Sequence, residues 1–182
     1  MVGHNTCCAL IISLVFISCG VSDDENNLIS EREEIAAQII KGGAFQYSEK
    51  GDIKNILEAG RLERWENGGE ESEVWLVSEG FTLYIEGDKE NHEAVLQGGR
   101  GNYDAKKEHL IAWDKVVLIN NKGEKLSTEY LVWSNDSNRV HTNRPVTIVT
   151  SSGTLHGKGL EADSRFENYR IIDPVGTFEI TQ

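Results

Sequence analysis

From residue 44 onward, apolar and polar side chains alternate with a period of two, the spacing of half-buried strands. Residues 44–48 and 53–62 flank Glu49-Lys50-Gly51-Asp52, and residues 74–77 and 81–85 flank Ser78-Glu79-Gly80. Residues 116–119 and 125–133 flank Asn120-Asn121-Lys122-Gly123, and shorter runs follow at 140–142, 146–150 and 154–155. Asn, Asp and Gly recur at the joints because hairpin turns need backbone angles that these residues adopt at least cost. No helical period is convincing beyond residue 42. A short helix is expected just before it. Ser30 and Glu33 form a capping box there, and Ile35, Ile39 and Ile40 supply an apolar face that stops at Gly42-Gly43. These patterns predict an all-β domain over residues 44–182, preceded by that helix.

An internal repeat underlies the turns. Leu96, Leu126 and Leu155 open the segments LQGGRGNY, LSTEYLVW and LHGKGLEA, spaced 30 and 29 residues apart. Seven positions after each leucine stand Tyr103, Trp133 and Ala162. Each unit reads as one long hairpin that cannot bury its face alone, so stacked units predict a β-solenoid, sandwich or jelly roll. The register puts Val116, Leu118, Val146 and Ile148 on a common face, and Phe81, Leu83 and Ile85 form a similar stripe. Periodicity leaves two outcomes open. The stripe is a dry core closed between two sheets, or the sheets splay and it lines a groove for hydrocarbon. Trp113 and Trp133 fall in the repeat and are expected in the core, with Trp65 and Trp75 less constrained.

Composition narrows the function. The 182 residues carry 18 Lys and Arg against 30 Asp and Glu, a formal net charge of −12. Nucleic acid and anionic lipid surfaces call for a basic stripe, and the sequence has none. Cys7, Cys8 and Cys19 crowd the N-terminus, so no disulfide or thiolate metal site organises the body. Residues 8–17 (CALIISLVFI) form an apolar run too short to span a bilayer and suited to a signal peptide. The run leads into Ser18-Cys19-Gly20, which is similar to the lipobox of bacterial lipoproteins. That likeness implies a signal peptide over residues 1–18, lipidation at Cys19, and a tether with its short helix over residues 19–43. Acyl chains on Cys19 would then be the membrane attachment. The acidic run at residues 22–27 (SDDENN) reads as a solvated spacer and also resembles surface-export signals of some lipoproteins.

Catalytic chemistry finds no foothold in the sequence. His4, His92, His109, His141 and His156 include no pair at the i, i+4 spacing of a helical zinc site, and His141 reads as an exposed strand histidine. Ser151-Ser152-Gly153 lacks the glycines of a nucleophile elbow. Gly157-Lys158-Gly159 is too short for a phosphate loop, and in a strand such glycines permit a bulge or close backbone approach. Carboxylates abound, yet nothing selects a glycosidase pair. No catalytic residue, cofactor or metal is expected, and the chain is not expected to be an enzyme.

The C-terminal half carries a family likeness. Gly123, Leu126, Thr128, Glu129, Leu131 and Trp133 form one motif. His156-Gly157-Lys158-Gly159-Leu160-Glu161 with Asp163, then Phe166, Asn168, Tyr169, Arg170 and Ile171, form a second. Gly101, Tyr103, Leu110, Trp113 and Val116 precede them in the same order. Together they resemble the LptC family of lipopolysaccharide-export proteins, in its Bacteroidetes-type lipoprotein variant. The likeness extends over residues 45–180 and is strongest over 99–178.

The resemblance implies an OstA-like β-jellyroll of two antiparallel sheets forming a twisted, open boat. Its apolar groove would receive the acyl chains of lipopolysaccharide from the inner-membrane ABC exporter and pass them to an LptA-type periplasmic protein. The groove residues would be Phe81, Leu83, Ile85, Val116, Leu118, Val146 and Ile148, with Gly157 and Gly159 serving close strand approach. The implied location is the periplasm, lipid-anchored to the inner membrane, while the acidic tether hints at the outer one. Two other readings stay open: an interaction lipoprotein with a closed β core, and a surface glycan-binding lipoprotein.

Overall fold

The computed structural model describes residues 36–67 and 70–175. Its regular structure is strand throughout: β1 (Ala36–Glu49), β2 (Asp52–Asn67), β3 (Glu70–Ile85), β4 (Ala94–Gly98), β5 (Arg100–Asp104) and β6 (His109–Asn120). Then follow β7 (Lys125–Ser134), β8 (Arg139–Thr142), β9 (Val146–Thr150), β10 (Gly153–Gly157), β11 (Gly159–Ala162) and β12 (Tyr169–Ile172). They form one antiparallel sheet in the order β1-β2-β3-β4-β6-β7-β8-β11-β12. In that sheet β5 lies between β3 and β6, and β9 lies between β7 and β10.

The expected helix is corrected where the structure describes it. Residues 36–42 belong to β1, and Ile39 and Ile40 pair with Glu63 and Leu62 of β2. A helix of so few turns is marginal in water. β2 runs on to Asn67 and offers these residues a continuous hydrogen-bonding partner, which β-branched isoleucine suits. The capping box at Ser30 and Glu33, the signal segment and Cys19 lie outside the described residues.

Each long strand breaks near its middle, and the breaks line up. β1 breaks at Gly42 (φ 64°), β2 slips register between Ala59 and Arg61, and β3 breaks at Glu79 and Gly80 (φ 60° and 83°). β6 breaks at Asp114 and Lys115 (φ 68° and 55°). The gaps between β4 and β5, β8 and β9, and β10 and β11 fall on the same line. Across it, the Gly80 N–H donates to the Gly99 carbonyl (3.0 Å) and the Gly99 N–H to the Asp114 carbonyl (2.8 Å). At β7 the Thr142 hydroxyl donates to the Tyr130 carbonyl (2.6 Å) and the Thr128 hydroxyl to the Pro145 carbonyl (3.0 Å). Gly60 is required for lack of room: a Cβ there would stand 2.6 Å from the Glu79 carbonyl oxygen.

This line is a corner. It divides the sheet into a lower half (β1 from Gly43, β2 to Ala59, β3 from Phe81, β4, β6 from Val116, β7 to Thr128, β9, β10) and an upper half holding the rest. Were the sheet flat, Asn55 and Glu108 would lie roughly 35–40 Å apart at the usual rise per residue. They are hydrogen-bonded at 2.7 Å, so the sheet is folded double. The Phe45 ring of the lower half likewise packs on Trp75 (centroids 5.1 Å) and Tyr103 (5.5 Å) of the upper half. The buried apolar side chains of both halves form one cluster. The result is a β-jellyroll with its core between the two halves.

Candidate functional site

The inner face of the lower half is one apolar row. Ladder partners run Phe45–Leu57–Leu83–Leu96–Leu118–Leu126–Ile148–Leu155, across eight strands without a polar interruption. The upper half answers with Trp75–Tyr103–Leu110–Trp133–Val140–Ala162–Tyr169. The repeat seen in the sequence is this pair of rows. Each unit crosses the corner once outward and once back, so a leucine of the lower row and an aromatic or small residue of the upper row recur together.

The structure brings all seven stripe residues together on the lower inner face. Leu83, Ile85, Leu118 and Ile148 have no solvent exposure, and Val116, Val146 and Phe81 are buried. They are the inner wall of a packed interior, not the floor of an open trough. Sequence reasoning missed the opposing wall, chiefly Val77, Leu110, Leu131, Val140 and Leu160, although each sits at the alternating position of its strand. It also misplaced Trp113, which is half-buried on the outer face beneath the Arg100 guanidinium, 6.0 Å from the ring centroid, while Trp75 is buried.

Polar groups close the side opposite the corner. The loop between β11 and β12 sinks Phe166 fully into the interior and stacks it on Tyr169. Asn120 Nδ2 donates to the Phe166 carbonyl (2.9 Å) from the lower half, and Trp133 Nε1 donates to the Ser164 carbonyl (3.2 Å) from the upper half. The Asp163 carboxylate accepts from the Glu167 and Asn168 N–H groups and from Asn168 Nδ2. Burial pushes that carboxyl up, but these hydrogen bonds outweigh it and hold the group below the usual carboxylate range. Further along the seam, Glu108 accepts from Asn55 Nδ2 and Asn135 Nδ2, both at 2.7 Å. Burial, aided by the Glu108 and Asp104 carboxylates, pushes the Tyr103 phenol up, so it stays neutral.

Where the corner meets the lower half, Gly43, Ala59, Gly60, Gly80, Phe81 and Gly98 line a depression of about 500 Å³. Phe81 is the stripe residue that touches this opening. Gly157 and Gly159 sit where β10 passes into β11. A Cβ at Gly157 would lie 2.2 Å from Ile171 Cγ2, and one at Gly159 would lie 2.8 Å from the Thr142 carbonyl oxygen. His141 is half-buried on the outer face of β8; burial first, then Arg139 and His109, hold its imidazole below its ordinary value against the pull of Glu161. Among the described residues, no group of three His, Cys, Asp or Glu side chains could hold a metal ion. No helix among them is long and apolar enough to cross a membrane.

A single sheet folded double over an apolar interior, with glycines along the fold, defines an OstA-like β-jellyroll. The family model described as "Lipopolysaccharide-assembly, LptC-related" matches residues 6–178, and the chain belongs to that family. Its members are components of lipopolysaccharide transport associated with the periplasm and inner membrane. No curated protein matches the chain.

Proposed function

We propose that this protein shelters the acyl chains of lipopolysaccharide between its two half-sheets, taking them from the inner-membrane ABC exporter and handing them to an LptA-type periplasmic protein without catalysing a reaction. The observation that supports this most is the unbroken apolar row from Phe45 to Leu155. At the usual strand spacing, that row is roughly 34 Å wide. Each methylene brought out of water contributes about 0.8 kcal/mol, so even partial shelter holds a lipid that water rejects. A net charge of −12 repels the phosphates of the lipid head, which favours holding the tails and leaving the head in solvent.

Transfer requires a continuous path. Among the described strands, β1 pairs only with β2, β10 only with β9 and β12 only with β11, and such edges are where a neighbouring jellyroll adds a strand. Anchoring through acyl chains on Cys19 would keep the domain beside the exporter. The test is photocrosslinking in cells from benzoyl-phenylalanine at Phe81, whose shape the probe nearly shares and which touches the corner opening. An adduct with lipopolysaccharide that vanishes when the exporter's ATPase is inactivated is the expected result. Absence of any adduct from folded, exported protein contradicts it.

The complete burial of Leu83, Ile85, Leu118 and Ile148 favours a second reading, in which the core is permanently dry and the domain serves only as an interaction scaffold. A missing adduct together with retained binding to the exporter is the outcome that reading requires.

A further inference from the structure

If the interior is to hold acyl chains, the closed seam must open, and its two polar fastenings are unequal. At the β11–β12 loop the fastening is multiple. Phe166 is buried, Asn120 and Trp133 bind the loop from opposite halves, and Ser164 donates through both N–H and hydroxyl to Asn138 Oδ1. Tyr169 of the upper half also reaches Glu124 of the lower at 3.5 Å. Further along, the start of β2 meets the β5–β6 turn through one side-chain hydrogen bond among the described residues, Asn55 Nδ2 to Glu108 Oε1. Each partner is held from behind in its own half. The Glu86 N–H donates to Asn55 Oδ1 (3.1 Å), while Asn135 donates to Glu108 through its side chain and to the Glu108 carbonyl through its N–H (3.0 Å).

We propose that Asn55 and Glu108 form the latch of a lateral gate, through which acyl chains enter between the half-sheets while the Phe166 loop stays shut. This rests on the acyl-carrier reading above. The chemistry of the pair suits a reversible contact. Glu108 is 7% exposed and Asn55 2% exposed, so closing the seam strips water from a carboxylate and supplies amide donors in exchange. Opening returns water to that carboxylate, which offsets the broken bond. The neighbouring apolar contacts of Phe45 with Trp75 and Tyr103 are lost on opening as well, and entering acyl chains would replace them. Ile85 lies fully buried beside Asn55 on the adjoining strand, so the apolar stripe begins at the latch.

The test joins Asn55→Cys and Glu108→Cys in the full-length chain with a short, reducible bismaleimide, and follows loading with fluorescent lipopolysaccharide. The single-cysteine variants, treated alike, control for reaction at Cys7, Cys8 and Cys19. Tethering is expected to cut loading at least tenfold, with recovery when the linker is reduced. Equal loading with and without the tether overturns the latch. No loading by the unaltered protein overturns the carrier reading itself, which separates the two failures. Asn55→Asp provides a second measure that needs no tether. It sets a carboxyl against Glu108 with little change of shape; loading is compared at alkaline pH, where both groups ionise and repel rather than share a proton. Loading several-fold faster than the unaltered protein supports the latch; an unchanged or slower rate overturns it.

Discussion

Asp163 fixes the loop that plugs the jellyroll, and its worth is testable by itself. Three donors converge on its carboxylate, and the loop they shape carries Phe166 into the core. Removing the acceptor in Asp163→Ala leaves those donors short of a partner, at a cost of about 1–3 kcal/mol. A lower midpoint in thermal or urea unfolding at neutral pH checks this. The sign of the pH dependence follows from the lowered carboxyl. The contribution is complete above the carboxyl's unfolded value of about 3.9 and is lost as pH falls through the lower folded value. The gap between the unaltered protein and the variant is therefore expected to close on acidification below about pH 4. At this scale the sequence was only partly legible. Alternation marked Leu83, Leu118 and Ile148 as inward-facing. Trp113 has the opposite parity to Val116 and Leu118 in the same strand, so its outward position was readable there and the repeat obscured it. Phe166 lies outside any alternating run, and nothing local distinguished it from a surface loop residue.

The strands owe their arrangement to the corner, where room rather than preference decides the residue. At Gly60 a side chain would collide with the Glu79 carbonyl, whereas at Gly51, in the β1–β2 turn, the space is open and only the φ of 94° resists. Gly60→Ala is expected to cost about 1–3 kcal/mol by overpacking. Gly51→Ala is expected to cost about 1 kcal/mol, the penalty of a left-handed backbone alone. Paired denaturation curves would check the order, and a reversal would contradict the corner account. The hairpins themselves were readable because turn residues and period-two runs are local signals. The corner was not. It depends on breaks that line up only after the strands have paired, and a lone Gly or Asp-Lys step does not announce its partners. Over residues 36–42 the expected helix gave way for the same reason. An apolar face at helical spacing lost to a long partner strand that the local sequence does not reveal.

For the molecule as a whole, a continuous sheet becomes a container by folding double; one apolar row spans the lower half, and another runs from Trp75 to Tyr169 in the upper half. The 30-residue repeat carried this information in the sequence, since a leucine and a residue seven positions on belong to opposite walls. What it did not disclose is that the walls meet, because closure rests on contacts between strand ends and distant loops, Asn55 with Glu108 and Asn120 with the Phe166 carbonyl. Whether lipid tails reach between those walls is best read at Trp133, which is fully buried on the upper wall with its indole N–H bound to Ser164. Trp65, Trp75 and Trp113 are replaced by Phe, and the protein is loaded with lipopolysaccharide bearing brominated acyl chains, which quench indole fluorescence on contact. Strong quenching, absent with unbrominated lipid, is the result expected of a carrier that opens. Bound lipid that leaves Trp133 unquenched would place the tails outside the jellyroll and contradict the account.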